Sequence, residues 1–139
     1  MKALTPVICA AAVLAAPLAA PLIANAQSLK PQTRWVNNHG SELVIQSIDP
    51  DGRLTGTYSS SLPDYRCRNV AFPVVGWVVG DLISYTMLAS NSVIRCGTIT
   101  SWTGYVRDGR LHAEWSLAYT DTETFYPGLT RGTDVYRPK

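Results

Sequence analysis

Cys96-Gly97-Thr98-Ile99-Thr100-Ser101-Trp102-Thr103-Gly104-Tyr105 is the stretch whose reading decides the fold. Thr98, Thr100 and Trp102 are spaced by two, so an extended strand turns all three to one face and gives Ile99, Ser101 and Thr103 the other. Two hydroxyls followed by an indole along one side of a strand suit the lining of a small-molecule pocket. Taken alone, the stretch favours the plainer reading, an ordinary half-buried strand whose threonines are present for β-propensity. The surrounding segments have to separate these readings.

Outward from this stretch, helical periodicity is scarce and turn signals recur at Asn38-His39-Gly40, Asp49-Pro50-Asp51-Gly52, Arg107-Asp108-Gly109 and Pro127-Gly128. Between them lie eight runs rich in Val, Ile, Thr, Tyr and Trp, at residues 33–37, 42–48, 53–59, 71–79, 82–89, 98–106, 110–119 and 133–137. Short sequential connections predict an all-β fold, an eight-stranded antiparallel up-and-down β-barrel whose closure removes exposed edges. An open two-sheet sandwich is the competing architecture. Two longer breaks, residues 60–70 and 120–132, have the Ser, Pro, Asp and Tyr content of loops at a barrel mouth.

The first residues stand apart from this pattern. Met1-Lys2 is a short positive start, an apolar run extends from Val7 to Ile23, and Ala24-Asn25-Ala26 has the form of a cleavage site. Pro17 and Pro21 break the run, which argues against a spanning helix. Residues 1–26 therefore read as a secretory signal peptide and 27–139 as one small barrel domain, secreted or periplasmic. The 12 Lys and Arg against 10 Asp and Glu are scattered, and Lys2 leaves with the signal. Such a balance leaves no footprint for nucleic acid or a membrane surface.

Cys9 falls in the signal, which leaves Cys67 and Cys96 as an even pair in an exported chain, the usual setting of a disulfide. Closing a loop of about 30 residues contributes on the order of 3–4 kcal/mol in the chain-entropy account. With only His39 and His112 to add to that pair, a zinc site lacks ligands, and no metal is expected.

Enzyme constellations are missing from the sequence: it holds no G-x-S-x-G, H-E-x-x-H, P-loop or dinucleotide fingerprint. His112 and Glu114 share a strand face opposite Leu111, Ala113, Trp115 and Leu117, so the apolar set should face inward and the pair be solvated. No catalytic residue is assigned. Binding signals are better. Asn37 and Ser41 flank a tight turn, Tyr58 ends a strand ahead of Ser60, Trp115 and Leu117 share a face, and Asp134 opens the last strand. Singly, each has a plain structural reading: Asn37 as a turn residue, Tyr58 as a cross-strand aromatic, Trp115 as core, and Asp134 as a turn acid.

Together, in this order, they resemble the avidin–streptavidin family of biotin-binding barrels. The matching pieces are W-x-N-x-x-G-S at 35–41, G-x-L-T-G-T-Y at 52–58, T-x-T-x-W-x-G-Y at 98–105, W-x-L at 115–117 and G-x-D at 132–134. Streptavidin is itself the model for an eight-stranded barrel that holds one small ligand, so barrel width and resemblance form a single argument. The resemblance implies that Asn37, Ser41 and Tyr58 donate to the ureido oxygen of biotin, while Ser60 and Asp134 accept from its N–H groups. It places Thr100 near the thiophane sulfur, Thr98 near the valerate carboxylate, and Trp102, Trp115 and Leu117 as apolar walls. The implied function is non-catalytic capture of biotin as a bound ligand, with no cofactor.

Three positions depart from the family pattern. Ala89 stands where the family usually has a pocket Trp, so a wall loses its large apolar face unless Trp77, Tyr85 or a neighbouring loop replaces it. This leaves open an avidin-shaped barrel that holds another small molecule or a peptide. His39 takes a position that is often apolar. Tyr126 stands where tetrameric members have a Trp that caps a neighbouring subunit. Dimeric bacterial avidins of the rhizavidin type lack that Trp and carry a disulfide where Cys67 and Cys96 fall, which implies a homodimer with this bridge.

Overall fold

The structure is a computed structural model and describes residues 29–90, 96–121 and 123–139. The signal peptide lies outside the described residues. The strands are β1 (Thr33–Asn37), β2 (Glu42–Ile48), β3 (Arg53–Ser59), β4 (Ala71–Val79), β5 (Leu82–Ala89), β6 (Thr98–Arg107), β7 (Arg110–Thr120) and β8 (Pro127–Pro138). Each pairs antiparallel with the next, and β1 closes onto β8 through Trp35↔Pro138, Val36↔Arg137 and Asn37↔Tyr136. The meander is a closed barrel, and the sandwich is ruled out.

Alternation along the strands builds the interior. Val74 on β4, Ile83, Tyr85, Met87 and Ala89 on β5, and Leu111 and Ala113 on β7 are buried, while their sequence neighbours face outward. The strand that opened the sequence reading behaves as its spacing predicted: Thr100 and Trp102 are buried, Thr98 is half-buried, and Ile99, Ser101 and Thr103 are exposed. Leu111 and Ala113 are inside and Glu114 outside, with His112 half-buried against Tyr105 at a ring separation of 5.4 Å.

The last strand differs from expectation. β8 begins at Pro127 rather than residue 133, and its pairing with β7 runs unbroken from Thr120↔Pro127 to Leu111↔Tyr136. Gly128 and Gly132 look like breakers in sequence, but aromatic rings lie against their backbone. A Cβ at Gly128 would sit 2.5 Å from Tyr119 Cζ, and one at Gly132 would sit 2.3 Å from Trp115 Cζ2. These glycines make room for their cross-strand partners. The second mouth loop therefore shortens to residues 121–126.

Candidate functional site

One end of the barrel is open. The β1–β2 turn, the 60–70 loop and inward-facing residues of β3 and β5–β8 surround a cavity of about 280 Å3 there. Nine of the ten ligand-site residues named from the sequence line it: Asn37, Ser41, Tyr58, Ser60, Thr100, Trp102, Trp115, Leu117 and Asp134. Thr98 does not. It lies two residues further out on β6, beside the neighbouring mouth groove, and its hydroxyl is 3.2 Å from that of Tyr65.

Local hydrogen bonds fix which atoms stay available. Asn37 Oδ1 accepts from the backbone N–H groups of His39 (3.0 Å) and Ser41 (2.8 Å), which shapes the turn and orients the side-chain amide. Its Nδ2 is left as the donor. Ser41 Oγ accepts from Ser61 N at 3.0 Å and lies within hydrogen-bond reach of the Tyr58 hydroxyl, so its own proton can turn to Tyr58 or to a ligand. Tyr58 is buried, and loss of hydration pushes its phenol up to about 12, the Ser41 hydrogen bond only partly opposing that shift. It remains a neutral donor at any ordinary pH.

The floor is aromatic and acidic. Trp102 stacks on Tyr85 at 4.8 Å and tilts against Tyr58 at 4.6 Å. Asp134 is buried, and its Oδ2 accepts from Trp102 Nε1 (3.2 Å) and from the Tyr136 hydroxyl (3.1 Å). Because Tyr136 donates its one proton to that carboxylate, the 3.0 Å contact between Tyr85 and Tyr136 has Tyr85 as donor. Burial raises both phenols well above their ordinary range. Among the described residues no side chain donates to Asp134 Oδ1. The Thr100 hydroxyl is buried without a partner, an arrangement that costs about 1–3 kcal/mol unless a ligand completes it.

Ala89 is fully buried and does not line the cavity, and the three candidates for the absent large side chain lie in different places. Trp77 is excluded, since it faces outward and is 60% exposed, and Tyr85 lies beneath Trp102. Tyr65 lines the cavity instead. Ala89 pairs in register with Thr98, the residue whose hydroxyl meets Tyr65, so the phenol reaches the strand position directly opposite Ala89. Cys67 and Cys96 form a disulfide with a Cα–Cα distance of 5.9 Å. Tyr65 lies two residues before Cys67 and Thr98 two after Cys96, so the bridge and the hydroxyl contact span the same gap. Leu62, Met87 and His39 are further lining residues absent from the site named from sequence.

The arrangement suits binding rather than turnover. It offers directed donors on one side, a buried carboxylate on the other and flat apolar walls between them. Among the described residues no cluster of His, Cys, Asp and Glu suits a metal ion.

The Avidin family model matches residues 25–137. Afifavidin from Afifella pfennigii is 27% identical over 106 residues, 73% of this chain and 65% of Afifavidin, so the chain spans just under two thirds of that relative. The crystal structure of a shwanavidin variant in complex with biotin superposes with a TM-score of 0.72 at 35% identity, covering 82% of this chain and all of shwanavidin. The rhizavidin–biotin complex gives 0.71 at 28% identity, covering 79% of this chain and 92% of rhizavidin.

Proposed function

From the premise that the chain belongs to the avidin family, we propose that it is a non-catalytic protein that sequesters biotin in the barrel interior. The observation that carries this reading is the convergence on one cavity of Asn37 Nδ2, the hydroxyls of Ser41 and Tyr58, and the Asp134 carboxylate. The first three donate to the ureido oxygen, much as an oxyanion hole holds developing charge. Ser60 Oγ and Asp134 Oδ1 accept the ureido N–H groups, the latter as a charge-assisted bond. Thr100 gives its unpartnered hydroxyl to the thiophane sulfur, and Trp102, Trp115 and Leu117 enclose the rings. The valerate leaves past Thr98.

Burial of Ala89 and the presence of Tyr65 in the wall favour biotin over an unrelated ligand that would need the extra space. Titrating the mature chain, residues 27–139, with biotin while following heat and tryptophan fluorescence tests the reading. Saturation at one biotin per chain is expected, and no saturable signal at micromolar biotin defeats it. Competition by desthiobiotin separates biotin from an unrelated ligand.

Export through a cleaved signal at residues 1–26 agrees with the disulfide. The protein acts as a homodimer. Val75, Trp77 and Val79 project from β4 and Leu82 and Leu88 from β5, at 49–71% exposure, an apolar face that a second copy would cover. Light scattering should give a dimer mass for the wild type and a monomer mass for Trp77→Glu.

A further inference from the structure

A groove of about 430 Å3 lies against the cavity at the barrel mouth, and Tyr65 is common to the walls of both. It continues the same inward faces. On β6 the cavity ends at Thr100 and the groove takes Thr98; on β7 the cavity ends at Leu117 and the groove takes Tyr119. A ligand seated by its ureido ring therefore sends its chain into this groove.

The polar groups at the junction fit an amide better than a carboxylate. Tyr65 and Thr98 share one hydrogen bond between two hydroxyls, leaving one proton to donate and oxygen lone pairs to accept. An amide supplies both complements, a C=O and an N–H; a carboxylate only accepts. Among the described residues no lysine or arginine lines the inner cavity, so an incoming charge finds no partner there. In the groove the exposed cation Arg66 is accompanied by two acids, Asp64 and Asp121, so its charged lining is not net positive. Asp121 is engaged by its own loop, its Oδ1 accepting from Glu123 N (3.0 Å), Thr124 N (2.7 Å) and Thr124 Oγ1 (2.8 Å). Beyond the junction, Tyr119 and Phe125 offer aromatic faces, Phe125 at 76% exposure. Such faces suit the aliphatic stem of a lysine.

We propose that the mouth groove is a second subsite that selects biotin joined by an amide to a lysine side chain over free biotin. This rests on the biotin reading above. The test is competition calorimetry on the mature chain with three probes: biotin, its primary amide, and Nα-acetyl-Nε-biotinyl-lysine amide. One neutral hydrogen bond gained predicts that the primary amide binds roughly fivefold more tightly than the acid. The lysyl conjugate should bind more tightly still, and Phe125→Ala should remove that second gain alone. Equal or tighter binding of free biotin overturns the proposal. So does a loss confined to free biotin in Arg66→Gln, which would show that the groove recognises a carboxylate. If none of the three probes binds, the biotin reading fails and the subsite with it; if all bind with the acid favoured, only the subsite fails.

Discussion

Replacing Asp134 separates ligand recognition from support of the barrel floor. In Asp134→Ala, Trp102 Nε1 and the Tyr136 hydroxyl both lose their acceptor in a buried place. Each orphaned donor costs about 1–3 kcal/mol, so the free protein should lose roughly 2–6 kcal/mol of stability. The same change removes the charge-assisted bond to a ureido N–H, worth about 1.5–3 kcal/mol, or roughly 10- to 150-fold in affinity. Asp134→Asn divides these effects. Its amide oxygen can keep accepting from Trp102 and Tyr136, so stability should stay within about 1 kcal/mol while its NH2 meets the ureido N–H head-on. Thermal unfolding without biotin and calorimetry with it read the two quantities separately, with His112→Ala as a control on the half-buried outer face. A stable Asp134→Asn protein that binds biotin as tightly as the wild type refutes the assigned contact.

Alkaline pH should unfold the barrel earlier than its carboxylates or lysines would suggest. The Tyr58 phenol is raised from 10.0 to about 12 and those of Tyr85 and Tyr136 are also raised, so the folded state holds protons that the unfolded chain releases. The Tyr58 contribution, about 3 kcal/mol, is complete below pH 10 and is lost as pH climbs toward 12, and Tyr85 and Tyr136 act in the same direction; a flat unfolding free energy across that window, read by denaturant titration, would contradict it. Gly132→Ala forces the Trp115 indole off the β8 backbone, with a stability loss of about 1–3 kcal/mol and a shifted tryptophan emission; unchanged emission and melting temperature would sink that account. In Cys67→Ser/Cys96→Ser, freeing a loop closed over 29 residues should lower stability by about 3–4 kcal/mol. Biotin release should quicken still more, because Tyr65 loses its tether; equal off-rates with and without the bridge would count against that tether.

The boundaries of the first five strands coincide with those expected from sequence, because alternation and turn residues there are local and unopposed. Gly128 and Gly132 defeated the same logic. Their role depends on which ring faces them across the sheet, and that register cannot be read before the pairing is known. Asn37, Ser41, Tyr58 and Asp134 were recognisable through motifs, whereas Tyr65, Leu62 and Met87 were not. Met87 has the look of any core residue, and Tyr65 sits in an aperiodic loop. Its equal offset from one cysteine to that of Thr98 from the other was the available signal. Ala89 was legible as a departure from the family motif, whereas the cavity-lining Tyr65 comes from a segment more than twenty residues away in sequence.

The ring of strands is fastened unequally. Ten residue pairs join β7 to β8, whereas three join β8 to β1, reinforced just beyond β8 by Lys139, whose backbone N–H donates to Arg34 O at 3.0 Å and whose ammonium binds Glu42 of β2 at 2.7 Å. Asn37 sits on this short seam opposite Tyr136, whose hydroxyl supports the Asp134 carboxylate. A hinge along that line would part a urea-oxygen donor from the brace beneath a urea-nitrogen acceptor. Cargo or a surface linker attached beyond Lys139 would pull on the clasp of the cylinder, so immobilisation through the outer faces of β6 and β7, away from both that seam and the apolar β4–β5 face, is the gentler choice.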